Sequence, residues 1–575
     1  MSNVEHVGLT EAHRRTVRRR RAALLVGGVA IMNVLSAVTP PLAGRLRWLL
    51  GLAPVEVPQA AGSALVFASI ALLFIARGLR RGMRHTWIAA LALLAISLIT
   101  NLTKGLDIEE ALCSAAAAGV LVHYRHAFRV RPAPAAFRRA AGLAVAGTIG
   151  AVAFGAVLVF AIGVHERSGD TSSVTALVER LAGDNALPLP AANPLVTPAL
   201  GALGIALVFA VGATLVAPHR GRRRSEDERK AERELARAIV TRESSDTLAY
   251  FALRDDRDWF FTGHTVVAYA VHNGVCLVSP DPIGPATERA DAWADFCAFA
   301  DTNGWSVAIM AASASWLPTY QAMGMRAIYL GDEAIVDCGS FTLAGGAMKS
   351  LRGAYNRLSK AGFTVELANP NDLDDERRRE VLELLPETHC GAIERGFSMT
   401  LSRVFDPDDE GLLLALARDA QGRAQAVCQF VPCAEIRGFS LDLMRRRHDG
   451  NLPNGVIDFV IIETIAYLRQ QGYEGLGLNF AVLRAVVSGE RNESAWHGIE
   501  RRVLARLSES AQIESLWRFN AKFHPEWQPR WVVVDAVEHV PAQGFAIADA
   551  ESIWELPVVG GLIERRARRR AAAVT

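Results

Sequence analysis

The sequence predicts a multi-span α-helical membrane domain followed by an α/β (α+β) cytoplasmic part built from two similar units in tandem. Three observations predict it. Apolar runs of membrane-span length fill the first 220 residues. Arginines crowd alternate loops between those runs. From about 241 to 560, strand and helix signals then repeat in the same order. The averages agree: 51% apolar residues and a mean hydropathy of +0.18 are high beside 21% charged residues, so an apolar part is joined to a charged one. At 575 residues the chain also exceeds one ordinary domain.

The apolar runs are 22–43, 58–76, 86–103, 108–124, 140–163 and 199–217. Most approach the roughly 20 residues needed to cross a hydrocarbon core of about 30 Å. The fourth opens on Glu109 and Glu110 and is mostly alanine at its centre. The first has no signal-peptide cleavage site, and its apolar run outlasts a typical signal h-region. Arginines crowd 14–21, 77–84, 125–139 and 220–224, whereas the intervening loops hold Arg45, Arg47, Lys104, Arg167 and Arg180. With all six runs crossing, basic loops alternate with poor ones. Both ends of the membrane part, and everything after it, then face the cytoplasm.

The predicted organisation is a basic N-terminus (1–21), a six-helix membrane domain (22–217) and a charged linker helix (218–245). Two α/β units (246–390 and 391–545) and a basic tail (546–575) complete it. In the first unit, 264–279 reads as a hairpin turning at Asn273-Gly274, 290–304 as a helix ending at glycine, and 305–312 as a strand. In the second, 411–433 is a hairpin turning at Gln421-Gly422, 438–444 a strand, 455–472 a helix and 473–480 a strand. The seven cysteines form no C-x-x-C pair and no zinc-ligand spacing, which fits reduced thiols in a cytosolic domain. His389-Cys390 is an adjacent pair of the kind that is usually structural.

Three stretches carry chemistry. The first is 344–362, predicted helical with Gly362 as its C-cap. At 100° per residue, Met348, Leu351, Tyr355 and Leu358 form one stripe, and Lys349, Arg352, Asn356 and Lys360 the stripe beside it. An ordinary surface helix explains this pattern; so does a footprint for phosphate, of RNA or of lipid head groups. The second is 441–461, where a strand with Asp442 runs into Arg445 to Arg447 and a Pro-Asn-Gly turn. A helix follows with Asp458 in its first turn. Asn454 or Gly455 can cap that helix, and an acid there is favoured by the exposed N–H groups. Asp442 is harder to explain so, because a carboxylate on an apolar strand is costly unless paired or placed at a site. The third is 515–534, in which Arg518 and Lys522 stand one helical turn apart before an aromatic, proline-rich exit into a strand.

Five blocks together resemble the aminoacyl-phosphatidylglycerol synthase family, the lysylphosphatidylglycerol synthases or multiple peptide resistance factors. They are "SPDPIGP" (279–285), "FTLAGGAMKSLRGAYNRLSKAGF" (341–363), "ERGFSM" (394–399), "SLDLMRRRHDGNLPNGVIDFVIIETIAYLRQQGY" (440–473) and "RFNAKFHPEWQPRW" (518–531). The resemblance covers essentially all of 241–545. With "LGLNFAVLRA" (476–485) and the six-run preface, the chain is more similar to the form fused to a lysyl-tRNA synthetase, here without the synthetase.

The resemblance implies two tandem acyltransferase folds of the GNAT type that use aminoacyl-tRNA instead of acyl-CoA. The sequence holds no convincing acyl-CoA pyrophosphate loop. The implied reaction moves an aminoacyl group, lysyl foremost, from tRNA to a hydroxyl of phosphatidylglycerol at the plasma membrane. It needs no cofactor, metal or covalent nucleophile. Ester-to-ester transfer is nearly isoenergetic, so the enzyme aligns two substrates and stabilises an oxyanion. On this reading Asp442 and Asp458 hold the donor's ammonium groups, and Asn454 and Asn479 orient its carbonyl or amine. Lys349, Arg352, Asn356, Lys360, Arg445, Arg518 and Lys522 meet tRNA or lipid phosphate. Expected partners are lysyl-tRNA, phosphatidylglycerol, a separate synthetase that charges the donor, and a second copy of the chain. Lysine on anionic lipid lowers surface negative charge, so resistance to cationic peptides is the expected physiology. Transfer of another amino acid, transfer to another lipid, and a non-catalytic tRNA- or lipid-binding protein of the same fold are the rival readings.

Overall fold

The computed structural model describes residues 3–38, most of 56–162, scattered positions in 202–214, and 224–385. It further describes most of 400–447, then 452–482, 512–535 and 539–550. The chain divides into two compact units. One is 1–221 with 298–306, and the other is the rest.

In the first unit, helices stand over the first five apolar runs: α1 (Asn3–Val38), α2 (Glu56–Arg80), α3 (Arg84–Gly105), α4 (Ile108–His123) and α5 (Pro134–Ile162). Small and branched residues, among them Ala22, Val26, Leu72, Leu94, Ala117 and Leu121, form the buried core between α1 and α4. One polar pair lies inside this unit, where the Asn101 amide donates to Asn33 Oδ1 at 3.2 Å. Large apolar side chains also point outward, among them Ile31, Leu35, Ile99, Leu112 and Ile149. Among the described residues, one stretch is long and apolar enough to cross a membrane by length and composition, Arg84–Thr103 of α3.

The second unit opens with α6 (Glu226–Glu243), where the sequence places the charged linker helix. A capping box starts it: the Ser225 hydroxyl accepts from Glu228 N–H, and the Glu228 carboxylate accepts from Ser225 N–H. An eleven-stranded sheet follows. Its first half contains β1 (Asp258–Thr262), β2 (Thr265–His272), β3 (Val275–Val278), β4 (Ser306–Ala312) and β5 (Arg326–Asp337). Helices α7 (Arg289–Asn303) and α8 (Leu317–Ala322) lie before and after β4 in the chain. Next come α9 (Lys349–Lys360), β6 (Thr364–Ala368), α10 (Asp375–Leu384), β7 (Leu413–Arg418), β8 (Ala424–Cys433) and β9 (Gly438–Arg446). The described elements close with α11 (Val456–Gln470), β10 (Gly475–Val482), α12 (Gln512–Ala521), β11 (Glu526–Val534) and α13 (Val540–Ala550).

Both halves begin with an antiparallel meander, β1-β2-β3 and β6-β7-β8-β9. The hairpin turns fall where the sequence puts them, at Asn273-Gly274 and Gln421-Gly422; Asn273, Gly274 and Gly422 have positive φ. The parallel pair β9–β10 needs a crossover, and α11 supplies it. The sheet order is β1-β2-β3-β4-β11-β5-β10-β9-β8-β7-β6. Strand β11, late in the chain, thus lies inside the first half, antiparallel to both β4 and β5.

Two boundaries differ from the sequence reading. Helix α9 starts at Lys349 and not at 344, because Gly345 takes φ +88 and Arg352 Nη1 donates back to the Gly345 carbonyl at 2.9 Å, fixing a loop there. Sheet neighbours also group α9 and β6 with the second half and β11 with the first, whereas the sequence divides the units at 390. The apolar stripe of α9 is the reason. Leu351 and Leu358 are buried in the second half's core, Tyr355 stacks near Phe459 at 5.3 Å, and its hydroxyl donates to Glu463 on α11.

A buried ionic cluster clamps β11 in place. Arg530, 2% exposed, donates to both carboxylate oxygens of Asp246 at 2.9 and 2.8 Å and to Glu333 Oε2 at 2.7 Å. Thr247 Oγ1 also donates to Glu333, and Glu435 accepts from Thr247 N–H at 2.9 Å. Glu435 itself is exposed at the rim of the cluster, and partial desolvation of its carboxyl group, with the nearby charge of Asp246, pushes it up to about 7. Asp281, in the 279–285 block, accepts from Tyr320 and from Ser313 N–H, and burial raises it to about 6.

Candidate active site

The site starts from a glycine. Gly455 is the N-cap of α11 at φ +92, and a Cβ there would lie 2.8 Å from the Cβ of Ala354 on α9. Only glycine allows that approach and that backbone. Of the two caps that the sequence offers, Gly455 takes the position, and no side chain caps the helix. Asp458, 5% exposed in the first turn, is engaged elsewhere. Its two oxygens accept from Lys522 Nζ at 3.2 and 3.1 Å, just past the end of α12. The Lys522 ammonium also stands 5.1 Å from the Phe519 ring centroid.

A cavity of about 710 Å³ opens beside this pair. Lys349, Ser350 and Arg357 of α9 line it, with Asn454, Asp458 and Lys522 opposite. Arg357 Nη2 donates to the Asn454 carbonyl at 2.7 Å, tying α9 to the turn that starts α11. The site thus gathers Lys349, Asn454, Asp458 and Lys522 from the residues the sequence singles out. The sequence reading misses Arg357, Ser350 and Gly353. At 100° per residue these lie on the face of α9 next to its basic stripe, and only the position of α11 shows that this face borders the cavity.

Asp442 and Asn479 lie on irregular strand segments. Across β8–β9, Leu441 pairs with Phe430 and Leu443 with Gln429, so Asp442 is the extra residue of a bulge. Its buried carboxylate accepts from Leu401 N–H and from the Gln429 amide, each at 2.7 Å. Across β10–β5 the register shifts between Gly477 and Phe480, a segment that contains Asn479; its side chain is outside the described residues. Bulges re-aim side chains and recur beside active sites.

The other sequence candidates do not line the cavity. Arg445 donates to the Met444 carbonyl at 2.9 Å, and Arg352 serves the loop before α9. Asn356, Lys360 and Arg518 are exposed. His389, Cys390 and the 394–399 block fall outside the described residues. Among the described residues, no group of three His, Cys, Asp or Glu side chains could hold a metal ion.

A two-part sheet with a polar pocket at the start of its crossover helix defines an α/β protein with one candidate site among the described residues. Residues 236–534 match the family described as phosphatidylglycerol lysyltransferase, C-terminal. That match spans over half of the chain, and the chain belongs to this family. Among its relatives is the lysylphosphatidylglycerol biosynthesis bifunctional protein LysX of Rhodococcus jostii, 30% identical over 553 residues. The alignment covers 94% of this chain and 49% of that protein. LysX of Mycobacterium tuberculosis is 35% identical over 323 residues, covering 54% of this chain and 27% of that one. The chain thus spans between about a quarter and a half of the length of these relatives. Among solved structures, L-PGS from Bacillus licheniformis aligns with a TM-score of 0.47 at 22% identity, covering 55% of this chain and 96% of that one.

Proposed function

We propose that this protein transfers a lysyl group from lysyl-tRNA to phosphatidylglycerol. Family membership supports the reaction, and the observation that carries the site is the Asp458–Lys522 pair at the mouth of a 710 Å³ cavity. The lipid's glycerol hydroxyl attacks the ester carbonyl of the donor, its proton passes to the departing ribose oxygen, and one ester replaces another. The Lys522 ammonium has three N–H donors. Held by Asp458, it would stabilise the tetrahedral oxyanion in this reading. Asp442, aimed by its bulge, and Asn479 are proposed to receive the donor's ammonium groups and carbonyl. Arg445, Arg518, Arg352, Asn356 and Lys360 remain proposed contacts for phosphate.

The proposal includes a multi-pass membrane domain with the α/β part in the cytoplasm. The apolar runs, the alternating basic loops and the outward apolar side chains of α1, α3, α4 and α5 support it. A separate synthetase would charge the donor. The test is expression in a host without aminoacylated lipids, followed by lipid extraction and mass spectrometry. Lysyl-phosphatidylglycerol is the expected product. An alanyl or ornithyl lipid would replace the proposed substrate, and no new lipid would overturn the transferase reading.

A further inference from the structure

We infer that Arg530 is a positioning residue. By fixing the register of β11 it sets Lys522 against Asp458 and so, resting on the transferase reading, at the oxyanion.

Lys522 belongs to no helix or strand. It follows the last residue of α12, in a turn where Lys522 N–H donates to the Phe519 carbonyl at 3.3 Å and Phe523 N–H to the Asn520 carbonyl at 3.1 Å. His524 then takes φ +49, and β11 starts two residues later at Glu526. The backbone of Lys522 therefore stands where α12 and β11 put it.

The ladders alone hold the start of β11 weakly. Glu526 to Arg530 pair with β5 only, because the pairing with β4 begins at Trp531. Pro529, in the middle of that stretch, has no N–H to donate. The register against β5 also shifts between Arg530 and Trp531, so the pairing of the later residues does not fix the earlier ones.

Side chains supply what the ladder lacks. Gln528 lies opposite Glu333 and Arg530 opposite Gly331, so Arg530 and Glu333 share one face of the sheet. Trp527 and Ala334 lie on the other face, against the apolar core. A slip of one residue would turn the guanidinium into that core and lift Trp527 out of it. In the observed register its N–H groups reach Asp246, Thr247 Oγ1, Glu333 and the Ala311 carbonyl, from three separate segments. Asp246 and Glu333 are both buried, so a displaced Arg530 would leave two carboxylates without their cation. Lys522 lies eight residues before Arg530. One step along a strand is about 3.4 Å, enough to part an ammonium from its carboxylate.

The experiment uses the full chain in detergent micelles. Arg530→Lys and Thr247→Val are each made alone and with Lys522→Met. Tm, steady-state turnover with lysyl-tRNA and phosphatidylglycerol, and the rate at which acetic anhydride acetylates Lys522 are measured. Arg530→Lys should lower kcat about 10-fold with each KM within about twofold, the pattern of a contact made only in the transition state. In the Lys522→Met background it should cost no further kcat, because it acts through that residue. Acetylation of Lys522 should quicken at least about threefold, as in Asp458→Asn, since an ammonium released from its carboxylate loses its proton more readily. Thr247→Val keeps both carboxylates and should show the same pattern with a kcat loss of about threefold. It decides the matter if Arg530→Lys does not fold. Equal kcat losses in both backgrounds would overturn the inference, as would a fall in Tm alone with kcat and labelling unchanged. A parent protein that makes no lipid product would sink the transferase reading, and labelling of Lys522 would still show whether Arg530 places it.

Discussion

Lys522 grips both carboxylate oxygens of Asp458 at 3.2 and 3.1 Å, joining two residues 64 positions apart at the edge of the cavity. Removing either partner should stop the reaction in the same way. Asp458→Asn and Lys522→Met should each lower lipid product at least 30-fold, in line with about 2–5 kcal/mol for a desolvated charge partner. The double variant should be little worse than either single one, because the residues act as a unit. Turnover with lysyl-tRNA and vesicles measures this. Additive losses would mean two separate roles.

Asp442 ties the segment at 401 to β9 and β8 through Leu401 N–H and Gln429. Asp442→Asn should abolish product and also lower stability, because an asparagine cannot accept both bonds without leaving donors opposed. The expected loss is about 1–3 kcal/mol, read as a lower Tm. Gln429→Ala separates the two roles. It should cost stability while keeping part of the turnover, if the bulge still aims the carboxylate.

Gly455→Ala should be strongly destabilising. The added Cβ would stand 2.8 Å from Ala354 Cβ in a backbone at φ +92. The α11 start must then move off α9, breaking the Arg357–Asn454 bond. A clear fall in Tm together with a loss of lipid product is expected. An unchanged Tm would refute the close approach.

Glu435 gives a pH signature. Its folded carboxyl is raised to about 7 by partial desolvation first and Asp246 next, against an ordinary value of 4.5. The folded state therefore holds its proton more tightly than the unfolded chain does. Stability from this group is full below about 4.5 and is lost as pH rises through 7. Glu435→Gln should remove that loss, so its Tm gain over the parent should grow between pH 5 and 8. A gain that is constant with pH would contradict the linkage.

Topology can be read with fusions. A reporter active only in the cytosol should work after Thr575, and one active only outside should not. The reverse pattern would refute cytoplasmic placement of the α/β part.

Much of the α/β part was legible in the sequence wherever the signal is local. Asn273-Gly274 and Gln421-Gly422 announce their hairpins, and the stripe of Leu351, Tyr355 and Leu358 announces the packed face of α9. The insertion of β11 was not legible. Its partners β4 and β5 lie far back in the chain, and alternation along 526–534 says nothing of which edge it joins. In the site, Asp458 and Lys522 were each singled out from the sequence as candidates, yet their pairing depends on the start of α11 and the end of α12 meeting. The bulge at Asp442 is a miscount between two strands, so neither strand alone contains it.

The place of β11 also sets an order in time. As the chain leaves the ribosome, β4 and β5 emerge about 190 residues before the strand that separates them. At about 5–20 residues per second, that leaves two unpartnered edges waiting roughly 10–40 s. During that wait Glu333 has no Arg530, and the edges of β4 and β5 can pair with each other or with a neighbouring chain. The first half should therefore stay protease-sensitive in nascent chains arrested before 526 and gain protection once β11 is out. Amino-terminal fragments cut between the halves should aggregate, although they contain most of a sheet.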